Sequence, residues 1–360
     1  MAEAESIEVL SLVFTAGAAA GTLVSGGASW AVSAALLPLA AAPVLFRERI
    51  RHLRKDVAVG LVLAAFLVAG LFSGAVSSIP SLSVSRPLAG WTEEAALRLK
   101  ALIAGIPFPS AGTAPLLTAF LTGDRSLLQA DVVAAFRQSG ASHLLALSGL
   151  HMGILYLLFD KLSHLAGHSP AARVLRYVCI VLAAGFFTLM TGASPSLVRA
   201  FLFIVINETL RLTGRRRKPS RVLCLALLVQ LVLNPGAIRE VGFQLSYLAM
   251  AGIFLLYPVL ERWYPASGKA DPFRRIWQAA ALSISCQVFT GPLVWYRFHT
   301  FPRYFLLTNL LSLPLTTVVM ACGAAAVGLS AVGLCPVWLI TTTDTLCNGL
   351  QRVLEIISSL

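Results

Sequence analysis

Ser148 and His151 stand three residues apart in SGASHLLALSGLHMG, residues 139–153. On a helix that spacing brings two side chains to one face. A serine beside a histidine is the pairing of a nucleophile with its base, and Asp124 or Asp160 is available as the acid that would orient the imidazole. The blander reading is that serine hydroxyls bond helix carbonyls and small residues let helices pack closely in lipid. The chain has no GxSxG turn to favour hydrolysis. His143 adds a third polar group to the same stretch. His164 and His168 have ligand-like spacing, but they lack the glutamate of HExxH and sit in a basic loop with Gly167 and Pro170. That loop reads as solvated. With no GxxxxGK[ST] phosphate loop either, no metal, no cofactor and no enzymatic activity are expected.

A second polar set lies inside apolar runs. GASPSLVRAFLFIVINETLRL carries Arg199, Asn207 and Glu208, and VGFQLSYLAM carries Gln244, Ser246 and Tyr247. An ionisable residue in a membrane span is a functional candidate by default. Arg199 is close enough to a span end to snorkel, and Glu208 can pair with Arg211 three residues on. Pro195, Pro258, Pro292 and Pro314 signal broken helices, which are tolerated where neighbours or water satisfy the freed backbone. Together these features point to a polar route through a helical bundle.

The elements that must position them are apolar helices. Of 360 residues 57% are hydrophobic and 12% charged, and mean hydropathy is +0.80. Too little charge is present to clothe a soluble surface, so the chain reads as an all-α polytopic membrane protein of about ten spans. They are predicted at about 7–25, 29–46, 57–76, 143–160, 176–193, 195–211, 221–234, 241–260, 276–296 and 305–333. The loops 47–56, 161–176, 211–221 and 261–275 hold 18 of the 28 Lys/Arg and share one side if the spans alternate. Positive charge marks the cytosolic side, which puts the N-terminus in the cytoplasm. The net charge of +12 is then mainly topology and not a nucleic-acid patch. Six cysteines, none in a CxxC pair, read as small buried hydrophobes.

The expected organisation is N-terminal spans (1–76), an extracytoplasmic linker with an amphipathic helix (77–112), a transmembrane domain (113–335) and a C-terminal amphipathic helix (336–360). In the last of these, Leu346, Leu350, Val353, Leu354 and Ile357 form one stripe and Asp344, Asn348, Gln351, Arg352 and Glu355 take the rest. Such a helix lies along the membrane or against the bundle. Ser126 and Gln129 fit a capping box for a short helix over about 127–139, and Gly140 is placed to end it.

The order of motifs resembles the ComEC competence-protein family over roughly residues 110–335. LLTGDRSLL with FRQSGASHLLALSGLHMGIL is similar to its first block, GASPSLVRAFLF to the second, LNPGAIREVGFQLSYLAMAGIFLLYPVL to the third and LLTNLLSLPLTTVVMACG to the last. By motif match the resemblance picks out Gly123, Asp124, Arg125, Gly140, His143, Ser148, Gly149 and His151, then Arg199, then Asn234, Pro235, Gly242, Phe243, Gln244 and Ser246, and finally Asn309 and Pro314. It implies a plasma-membrane channel that passes single-stranded DNA into the cytoplasm. Two parts found in many members are not expected: an OB-like domain, for which 77–110 is too short, and a metallo-β-lactamase-like nuclease domain, since no HxHxDH cluster occurs.

A strand carries one charge per nucleotide, so its path must be wet and lined with donors. His143, Ser148 and His151 would supply donors, Arg199 a cation, and Phe243, Tyr247 or Tyr156 faces on which bases stack. With no ATPase motif in the chain, the implied partners include a separate cytosolic ATPase motor, besides the single-stranded DNA and membrane lipids. A separate nuclease, extracytoplasmic DNA-binding proteins and a homo-oligomer are also compatible. Two other functions compete: a small-molecule or lipid transporter using the buried polar set, and an intramembrane hydrolase using Ser148 and His151.

Overall fold

In the computed structural model, residues 2–23, 63–64, 66–71, 74, 86–164, 169–216, 218–264 and 271–360 are described. Every regular element among them is helical: α1 (Ala2–Leu23), α2 (Arg86–Ala104), α3 (Thr113–Thr122), α4 (Ala130–Gln138), α5 (Ser142–Leu145), α6 (Gly149–His164) and α7 (Pro170–Met190). Then follow α8 (Pro195–Leu212), α9 (Pro219–Leu233), a 3-10 turn (Pro235–Arg239), α10 (Val241–Leu255), α11 (Tyr257–Glu261), α12 (Pro272–Phe298), α13 (Phe305–Ala331) and α14 (Val337–Ser358). The predicted span 29–46, most of 57–76, the basic loop 47–56 and His168 lie outside the described residues.

Three helical stretches among the described residues are long and apolar enough to cross a bilayer: Pro170–Met190, Val241–Glu261 and Phe305–Ala331. Leu175, Val178, Leu182, Phe186 and Leu189 are all exposed along α7, an apolar stripe that suits lipid and not water. This is a helical membrane protein. Other predicted spans take less regular forms. α8 carries Arg199, Glu208 and Arg211 along its length, and α9 has 15 residues.

The chain divides into two compact units. The first comprises Met1–Arg86, Ser169–Val181 and Val198–Gln244. In it α1 packs along α9, burying Phe14, Ala18, Val222 and Ala226, and Ser220 Oγ donates to Glu8 Oε1 at 2.7 Å. Helical residues around Gly70 and Gly74 press on the α1 backbone at Phe14 and Ala18, where a Cβ on either glycine would collide with a carbonyl oxygen. Small residues at such crossings let membrane helices approach backbone to backbone.

The second unit comprises Pro87–His168, Leu182–Leu197 and Leu245–Leu360. The Gly333 turn, with φ 71°, leads from α13 into α14, and the two helices pack side by side. Ile103, Leu117, Phe120, Phe136, Leu144 and Leu350 are among the residues that fill the core. The C-terminal helix is thus held against the bundle. Its predicted polar face needs one correction: Asp344 is only 5% exposed. Its carboxylate accepts from Ser110 N at 3.0 Å, Ser110 Oγ at 2.8 Å, Thr113 Oγ1 at 2.5 Å and Asn348 Nδ2 at 3.1 Å. A buried charge persists when hydrogen bonds replace its water, and this one ties α14 to the start of α3.

The cysteines also differ from expectation. All six are free, but Cys347 alone is fully buried, and Cys179 is exposed on α7.

Candidate functional site

The first motif begins where α3 stops. Gly123 adopts φ 80°, and its N–H bonds the Ala119 carbonyl at 3.0 Å. A side chain there would strike Leu147. Asp124 follows: Oδ2 accepts from Lys100 Nζ at 2.5 Å and Oδ1 from Ser126 N at 2.9 Å. The Lys100 bond first, then the Ser126 N–H, hold this carboxyl down at about 2. Arg125 Nε donates to the Leu145 carbonyl at 3.1 Å, closing the end of α5. The predicted capping box does not form. Asp124 captures the Ser126 N–H, the chain turns, and α4 starts at Ala130 with no side-chain cap from Gln129.

Gly140 adopts φ 84° after α4, as predicted, and lies against Pro302. Ser139 O accepts from Thr308 Oγ1 at 2.7 Å. The first and last motifs therefore meet in the second unit. His143 is exposed, and its Nδ1–H donates to Gly140 O at 3.1 Å.

The predicted span over 143–160 is not one helix. α5 ends after one turn, Ala146 is extended at φ −80° and ψ 128°, and α6 begins at Gly149. Ser148 caps it: Oγ accepts from Leu150 N at 3.2 Å, while Ser148 N donates to His151 Nδ1 at 3.3 Å. This is the reciprocal geometry of a capping box with histidine in the glutamate place. The Ser148 Oγ to His151 Nδ1 distance is 3.2 Å, as a hydrolase would need. However, His151 is buried, its Nε2 has no hydrogen-bond partner among the described residues, and Asp124 is engaged by Lys100. Asp124 is thus not the acid that orients the imidazole.

On α13, Pro314 is exposed mid-helix, while Asn309 Oδ1, Ser312 Oγ and Thr316 Oγ1 are buried without partners among the described residues. Their spacing fits the core-facing side of α13. Sequence reasoning passed over Ser312 and Thr316, although the four-residue repeat Thr308–Ser312–Thr316 was a readable signal.

In the first unit, Arg199 is 9% exposed and Glu208 3% exposed, both on α8. Arg211 Nη1 lies 3.5 Å from Glu208 Oε2, the pairing their spacing suggested, and Asn207 Nδ2 donates to Oε1 at 3.2 Å. Asn234 ends α9 and Pro235 opens the 3-10 turn, whose Ile238 carbonyl accepts from Gln244 Nε2 at 2.8 Å. Arg239 from this turn donates to the Thr22 carbonyl of α1. Phe243 is buried, and Gly242 has open space where a Cβ would stand. Ser246 and Tyr247, half-buried in α10, belong to the second unit.

His151, Arg199, Glu208, Ser312 and Thr316 are buried polar groups on helices, and among the described residues no cluster of His, Cys, Asp or Glu could hold a metal ion. The protein class is thus a helical membrane protein with internal polarity. Its residues 120–360 match the competence protein family, and the chain belongs to that family. It is 30% identical over 222 residues to ComE operon protein 3 of Bacillus subtilis (strain 168), covering 61% of this chain and 26% of that protein. Competence protein ComA of Neisseria gonorrhoeae is 29% identical over 204 residues, covering 55% of this chain and 28% of that protein. The uncharacterized protein YcaI of Escherichia coli (strain K12) is 25% identical over 203 residues, covering 55% of this chain and 26% of that protein. The chain thus aligns with only about a quarter of each relative's length. No solved structure matches it.

Proposed function

We propose that the protein is a plasma-membrane channel component for uptake of single-stranded DNA during natural transformation, with its N-terminus in the cytoplasm. The observation that carries this reading is the competence-family match across residues 120–360. The buried Arg199, Ser312 and Thr316 support it, because an anionic strand needs donors on its path and lipid offers none. A sparse, mostly neutral lining also suits conduction, which requires binding weak enough to release.

The chain itself performs no bond chemistry in this reading. Moving each phosphate inward against a potential negative inside costs about 2.3 kcal/mol per 100 mV. A separate cytosolic ATPase motor supplies that work, and a separate nuclease removes the other strand.

Deleting the gene should abolish transformation by linear DNA. Wild type should restore it, and Arg199→Ala, present in the membrane at wild-type level, should not. Undiminished transformation in the deletion strain would refute the proposal.

A further inference from the structure

Two exposed arginines, Arg137 and Arg303, lie at one join in the second unit. Gly140, just past the last turn of α4, rests against Pro302, the residue before Arg303. Gly140 N also bonds Arg137 O at 3.2 Å. Thr308 Oγ1 pins the same join to α13 through Ser139 O. On the other side, His299 ends α12 at φ 50° and turns the chain so that the Phe301 ring lies beside Gly291. Tyr304 OH donates to Leu360 O at 3.3 Å. Phe301 is nevertheless 53% exposed and Tyr304 39% exposed. Trp295, Tyr296, Arg297 and Phe298, on the last turn of α12, fit the aromatic belt of a membrane interface.

Topology does not account for Arg137 and Arg303. In the proposed orientation α12 rises from the basic loop 261–275, so the join faces outward, the side on which Lys/Arg are not in excess. Other Lys/Arg outside the basic loops are committed: Arg98 to Glu94, Lys100 to Asp124, Arg125 to Leu145 O and Arg239 to Thr22 O. The guanidiniums of Arg137 and Arg303 make no hydrogen bond or ion pair among the described residues. Residues 272–343 contain no Asp or Glu. The acids on adjoining helices, Asp131 and Glu355, pair with neither arginine.

Free cations beside exposed rings suit a ligand with both phosphates and open base faces, which is a single strand. A duplex keeps its base faces stacked. We propose that Arg137, Phe301, Arg303 and Tyr304 form a landing site for single-stranded DNA on the outer face, the guanidiniums holding phosphates and the rings stacking bases. It rests on the reading of inward DNA passage and names where the strand first touches the protein.

The test is photo-crosslinking of a bromodeoxyuridine-substituted single strand to purified full-length protein in phosphatidylcholine nanodiscs, with adducts mapped by peptide mass spectrometry. Adducts should form on Phe301 or Tyr304, and a duplex of the same sequence should compete poorly. The strand concentration giving half-maximal adduct there reports this site alone, whatever the cytosolic basic loops bind. Phe301→Leu should raise it for the Tyr304 adduct by about fivefold or more, the loss of one stacked base. Arg137→Gln with Arg303→Gln should reduce its salt slope by about 1.4, the loss of two phosphate contacts to a single strand. No adduct on either ring, equal competition by the duplex, or unchanged values in both variants would overturn the site. So would loss of the adducts in phosphatidylglycerol nanodiscs, which assigns the arginines to lipid headgroups. No arm involves uptake, so failure here removes the landing site and leaves the channel reading to the transformation test.

Discussion

Asp344→Ala should destabilise the second unit more than a surface change could. The carboxylate accepts four hydrogen bonds: two from Ser110, one from Thr113 and one from Asn348. Hydrogen bonds to a charged group contribute about 1.5–3 kcal/mol each. Regaining the hydration of the buried carboxylate offsets part of that sum, and the hydroxyls can rotate to new acceptors. The Ser110 N–H cannot. A net loss of about 1–3 kcal/mol follows, the cost of leaving a buried donor unsatisfied. With the other five cysteines replaced by alanine, Cys347, fully buried one turn away, makes a reporter, since a thiol-reactive dye reaches it only when α14 leaves the bundle. Thermal unfolding in detergent should show earlier dye uptake for Asp344→Ala, with Asp344→Asn between it and wild type. An Asp344→Ala midpoint equal to wild type would refute the reasoning that this hub anchors α14.

Three further outcomes are expected. Gly140→Val must hold a branched side chain at φ 84° and against Pro302; left-handed strain alone is about 1–2 kcal/mol, so folded yield should fall in a size-exclusion assay, and a normal yield would contradict the packing. Asp124 titrates at about 2 against an ordinary 3.8, so its bond to Lys100 adds stability above pH 4 that is lost as pH falls toward 2. The pair is 31% exposed on each side, which limits the effect to about 0.5–1 kcal/mol; Lys100→Ala should flatten the melting curve's pH dependence in that window, and an unchanged slope would count against it. Gly70→Leu should part α1 from its neighbour in the first unit, measured as lost protease resistance of the N-terminal fragment.

The apolar runs were legible because burial in lipid leaves one continuous signal, as on α7 and α13. The break at Ala146–Ser148 was not, since glycine, serine and leucine at 139–153 suit a packed span as well as a capped helix start. Gly140 was read correctly because a positive φ after a helix leaves glycine as the natural choice. Ser126 was misread because Asp124 competes for its N–H, and two residues outcompete three when the carboxylate is already fixed by Lys100. Asp344 was grouped with the polar face of α14 because its partner Ser110 is 234 residues away. No local pattern marks a charge whose solvation comes from that distance.

The central claim is that an incoming strand travels along the polar interior and not past the lipid-facing stripes. Photo-crosslinking during uptake measures it directly, with benzoylphenylalanine in place of the half-buried Tyr156 or Tyr247 and of Leu182 or Phe186 on the exposed face of α7. Labelled DNA should attach at Tyr156 or Tyr247 and not at the α7 positions. Attachment at Leu182 or Phe186 alone, or at none of the four while uptake proceeds, would contradict the account.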